Sequence, residues 1–80
     1  MNDNGEHRTS DLYFAAYLKV AGVSFKETER EGRRVFFVFE DVDRSVLRDL
    51  KNGYFNRTAK VPALSFADEI KTMKQLTHES

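Results

Sequence analysis

Between Asp11 and Gly22 the chain reads DLYFAAYLKVAG. Leu12, Tyr13, Phe14, Ala15, Ala16, Tyr17, Leu18 and Val20 cover most of a helical circumference. With Ser10 as an N-cap and Gly22 as a stop, the spacing predicts a helix from Asp11 to Ala21. Tyr, Phe and Val also suit a strand, but the paired alanines and the two end signals favour the helix. A surface helix shows a single apolar stripe. One that is apolar nearly all round is expected to be buried on more than one side, or to meet a partner.

Val23 to Arg30 changes to a period of two: a mostly polar strand anchored by Val23 and Phe25, whose charges suit a sheet edge. Glu31-Gly32 is a candidate hairpin turn. VFFVFE, Val35 to Glu40, is the strongest strand pattern. Val35, Phe37 and Phe39 share one face and Phe36 and Val38 the other, so this strand is expected to be central or covered on both sides. Asp41 and Asp43 then open a helix carrying Val46, Leu47, Leu50 and Tyr54 at helical spacing. Thr58 to Val61 is short and β-capable, a candidate third strand before Pro62. Ser65 and Asp68 resemble a capping box, and Phe66, Ile70, Met73 and Leu76 predict a last helix from Phe66 to about His78. Residues 1–9 hold no large apolar side chain after Met1 and are expected to be a disordered arm. The expected fold is α+β: helix, β-hairpin, helix, short third strand, helix, with a small antiparallel sheet packed by three helices in one domain over residues 10–78. Its expected core is Leu12, Ala16, Leu18, Phe25, Val35, Phe37, Phe39, Leu47, Leu50, Phe66, Ile70 and Met73.

The SDLYFAAYL start, the Arg33-Arg34 pair before the RRVFFVFED strand, the Tyr54 region, Val61-Pro62-Ala63 and the Phe66, Ile70, Lys74 helix resemble a small family of bacterial and phage or prophage proteins. That family carries a domain-of-unknown-function label. The resemblance covers roughly residues 10–76 and implies a bacterial or phage cytoplasmic protein. It implies no activity, cofactor or site residue.

Composition narrows the function classes. The 80 residues carry 13 Lys and Arg against 13 Asp and Glu, so the balanced charge lends no global attraction to nucleic acid. No cysteine is present, which excludes disulfide scaffolds, Cys-based zinc sites and thiol nucleophiles. The uninterrupted apolar run from Leu12 to Leu18 is far short of the ~20 residues of a spanning helix, and the polar MNDNGEHRTSD start fits no signal peptide. A cytoplasmic protein with no membrane contact is expected. No P-loop, HExxH or EF-hand spacing occurs. Glu40, Asp41 and Asp43 read as cap and helix-dipole partners rather than as metal ligands. His7 and His78 fall in the chain ends, where a general base would have no held position. The expectation is a protein that is not an enzyme and uses no metal or other cofactor.

Two functional expectations remain. The first is an accessory or regulatory protein acting by association with a protein partner or with itself. Its candidate interface is Phe36 and Val38, because three short helices look too few to cover both faces of VFFVFE. The second is a weak single-stranded nucleic-acid contact. Arg44, Arg48, Lys51, Arg57 and Lys60 stand against one acid, Asp49, as candidate phosphate contacts, with Tyr54 and Phe55 as candidate stacking groups. Arg33 and Arg34 could extend that patch. The competing reading makes Arg44, Arg48 and Lys51 the solvated face of an amphipathic helix. The RNA-recognition strand signature fails here, since Glu40 stands at its final aromatic place.

Overall fold

The computed structural model describes residues 4–56 and 60–79. Its elements are β1 (Asn4–Thr9), α1 (Leu12–Val20), β2 (Phe25–Glu31), β3 (Arg34–Asp43), α2 (Arg44–Phe55) and α3 (Ala63–Glu79). The class is α+β, as expected, but the strands are partly different ones. Residues 4–9, expected to be disordered, form β1 and pair antiparallel with β3. The three-stranded sheet is ordered β1-β3-β2. Thr58 and Ala59 of the expected third strand lie outside the described residues, and Lys60 and Val61 are not in a strand. The seat beside the hairpin is taken from the other end of the chain.

Local chemistry accounts for the element ends. Asp11, not Ser10, caps α1: its carboxylate accepts the Phe14 N–H at 3.0 Å, and the Thr9 hydroxyl accepts the Asp11 N–H at 3.1 Å. Asp43 caps α2, accepting from the N–H groups of Ser45 and Val46 at 2.8 and 3.3 Å. Helix α3 starts earlier than Ser65, at Ala63, and the Pro62 carbonyl accepts the Phe66 N–H at 3.0 Å. The β2–β3 turn is Gly32-Arg33, one residue beyond the expected Glu31-Gly32. Gly32 at φ 61° supplies the positive dihedral that a type II′ hairpin needs first.

One face of the sheet carries the core. Register pairs His7 and Phe25 with Phe39, and Thr9 and Thr28 with Phe37, so these side chains share the helix side. Phe14 to Leu18 of α1 are buried there with Phe37, Phe39, Val42 and Met73. The completely buried Ala15 and Ala16 let α1 approach α3 closely. Leu12, Leu47, Leu50, Tyr54, Phe66 and Ile70 pack around that centre, as the periodicity requires. The smallest dimension, 18 Å, fits one helical layer on one sheet.

The other face corrects the interface expectation. Val38 is only 1% exposed, although the core cluster gathered by the helices does not contain it. Long side chains of the two flanking strands meet over β3 instead. Arg8 of β1 reaches Glu29 and Glu31 of β2 at 2.9 and 2.8 Å, and Lys26 of β2 reaches Glu6 of β1 at 2.5 Å. The Arg8 guanidinium lies 4.4 Å from the centre of the half-buried Phe36 ring. Arginine and lysine stems cover apolar surface while their heads stay in water. The sheet therefore roofs its own outer face, and Val38 is not available to a partner.

Candidate functional site

Helix α2 is aimed by an irregularity in β3. Gly5 pairs with Val42 and His7 with Phe39, so Glu40 and Asp41 stand opposite Glu6 alone. Asp41 takes φ 53°, a left-handed conformation that aspartate tolerates better than most residues. The bulge turns Val42 into the core and delivers Asp43 to the start of α2. Leu47, Leu50 and Tyr54 then hold the helix against the domain.

Arg44, Arg48 and Lys51 recur at intervals of four and three, which puts them on one side of α2. That side faces β1 across a cleft of about 510 Å³, lined also by Gly5, Glu6, His7, Val42, Leu47 and Asn52. Among the described residues no carboxylate pairs with any of the three cations, and the Glu6 carboxylate is held by Lys26. The volume lies within the usual range for small-ligand sites.

The other candidates divide. Phe55, four residues past Lys51, continues the basic row and is 65% exposed, with one face near Phe14 at 6.0 Å. Tyr54 does not serve as a free stacking group. Its ring is packed 5.1 Å from Phe14 and 5.4 Å from Tyr17, and burial first, then Asp11 and Tyr13, raises its phenol pKa. Lys60 is exposed in the segment before α3, and Arg57 lies outside the described residues. Arg33 and Arg34 do not extend the patch. They flank a second depression of about 370 Å³ with Ser10 and Thr77. The eight-residue step along β3 from Arg34 to Val42 puts them roughly 25 Å from the cleft.

His7 is the residue that the sequence pattern missed. Assigned to a loose arm, it sits in the cleft wall with its ring edge-on to Phe14 at 6.2 Å. Its Nε2 is buried and has no hydrogen-bond partner among the described residues. Burial, and secondarily the Lys51 charge, lower its pKa below the ordinary 6.5, so the folded protein holds it neutral at pH 7. As pH falls through 6.5 the unfolded chain takes up this proton before the folded one does. Stability should therefore drop below that pH and level off beneath the folded pKa. His7→Gln should flatten this part of the profile in denaturant titrations between about pH 7.5 and about 5. An acid slope unchanged in the variant would assign the effect elsewhere.

Among the described residues no group of three or more His, Asp or Glu side chains is placed to hold a metal ion, and no helix is long and apolar enough to cross a membrane. No curated protein and no solved structure matches the chain. The family model described as Domain of unknown function (DUF5659) matches residues 4–79. That span takes in β1, the cleft and all three helices, and the chain belongs to the DUF5659 family.

Proposed function

We propose that this is a small accessory protein of bacterial or phage origin, acting in the cytoplasm without catalysis, that binds a phosphate-bearing ligand, single-stranded nucleic acid being the best fit. One observation carries the reading: Arg44, Arg48 and Lys51, unpaired by carboxylates among the described residues, converge on one cleft, and the exposed Phe55 extends their row. Cations attract phosphates, and an exposed ring gives a base a platform that does not depend on its identity. A merely solvated helix face would point its cations away from the domain; these line a concavity.

Titrating a labelled single-stranded oligonucleotide between about 50 and about 200 mM salt tests it. Each neutralised phosphate adds about −0.7 to the logarithmic slope for a single strand, so one or two phosphate contacts should give about −0.7 to −1.4. No binding at the lowest salt removes the reading. A second reading, association with a protein or another copy, rests on the exposed Leu64 (83%) and Val46 (49%) and no longer on Val38. A molecular mass that rises with concentration would support self-association.

A further inference from the structure

Gly5 is a glycine that the fold does not require. It lies in the edge strand β1, its φ is outside the left-handed region, and a Cβ built on it would meet no atom within 4 Å. Gly22 and Gly32, by contrast, hold φ angles of 91° and 61°. Glycine weakens a strand by its conformational freedom and by offering no side chain to pack, and in a strand it often marks the close approach of a ligand or another backbone. Gly5 borders the cleft opposite Arg44 and Arg48, so its missing side chain leaves the main chain bare at that wall.

The charge of the lining narrows the ligand further. Three cations stand against one carboxylate, and Glu6 is already paired with Lys26. One internal phosphodiester carries a single negative charge and would leave most of this surplus uncompensated. A terminal phosphomonoester carries about −1.5 to −2 at pH 7 and three acceptor oxygens. The basic row is also short: from Arg44 to Lys51 it spans about 10 Å of helix, room for one or two phosphates rather than a long backbone. We propose that the cleft seats the terminal phosphate of a nucleic-acid strand or nucleotide against the bare main chain at Gly5, held by Arg44, Arg48 and Lys51. This inference rests on the nucleic-acid reading and names the group that the site selects.

The test uses the full chain and one oligonucleotide sequence in three forms: 5′-phosphate, 3′-phosphate and hydroxyl at both ends, each labelled internally. Adenosine monophosphate serves as competitor. One phosphorylated form should bind at least tenfold more tightly than the hydroxyl form. Gly5→Val, which suits a strand better than glycine, should keep or raise the melting temperature and abolish the preference. Gly5→Ala, adding one methyl into open space, should reduce it and covers the case in which valine disturbs β1. Competition by adenosine monophosphate at the affinity of the phosphorylated strand would support the same group and identify a free nucleotide as its source. Equal binding of all three oligonucleotides would overturn the terminal-phosphate inference while leaving strand binding intact. Loss of all binding at low salt would remove both. A preference undiminished in both Gly5 variants, with the fold retained, would overturn the seat at Gly5.

Discussion

Phe39→Ala is expected to cost about 3–5 kcal/mol, the usual penalty for emptying a fully buried aromatic site. A chain of this length has roughly 4–12 kcal/mol of total stability, so the loss takes about a quarter of it or more and would unfold a protein near the lower end of that range. Phe39 has no exposed surface, lies on the central strand, and meets Phe25 edge-on at 5.5 Å. Phe36→Ala, three residues away on the same strand, should cost less than about 1.5 kcal/mol. Its ring is half-buried beneath the Arg8 guanidinium, whose long side chain can settle onto the space left behind. Urea unfolding of the two variants side by side reads the difference. Equal losses would mean that the outer face is as tightly built as the core and that the ion-pair roof is the wrong description.

Reversing two charges in the cleft, Arg48→Glu with Lys51→Glu, should weaken oligonucleotide binding by roughly 100- to 1000-fold. The magnitude follows from Coulomb's law. A unit charge about 4 Å from a phosphate contributes about 1 kcal/mol in water, and reversal replaces that attraction with a similar repulsion at each of two sites. The salt dependence should flatten as well, because those positions no longer displace counterions. Arg33→Glu with Arg34→Glu changes net charge equally at the far end of β3. Roughly 25 Å exceeds two screening lengths at physiological salt, so this control should shift affinity by less than about threefold. Equal losses in the two double variants would point to a diffuse charge effect and remove the cleft as the site. Both pairs should fold normally, since none of the four residues belongs to the core cluster.

Much of the fold is legible in local pattern. The nearly continuous apolar circumference of residues 12–20, interrupted by Lys19, requires a helix covered on several sides, and Phe14 to Leu18 are buried in that way. Phe37 and Phe39 at a two-residue interval mark the core face of a strand, and Leu47, Leu50 and Tyr54 mark the inner side of α2. Half of the candidate site is visible by the same logic: Arg44, Arg48 and Lys51 fall on one helix face by spacing alone. The other half is not. The segment NGEHRT has no aliphatic or large apolar side chain, so nothing in its composition announces a strand. Its main-chain donors and acceptors pair with β3, and backbone pairing leaves no signature in side-chain hydrophobicity.

By itself, then, the sequence determined the period and the burying face of the helices and of the β2–β3 hairpin, because each is encoded between residues a few positions apart. It also determined that VFFVFE, apolar on both faces, calls for flanking strands or for covers on both sides. Only the tertiary structure decided who supplies them. β1 closes the second edge, Arg8 and Lys26 reach over the central strand to close the outer face, and Gly5 and His7 come opposite α2 to make a cleft of a basic row. Those partnerships join residues about 20 to 45 positions apart. They are selected by the backbone pairing and packing of the whole chain, to which no short window of side chains is sensitive.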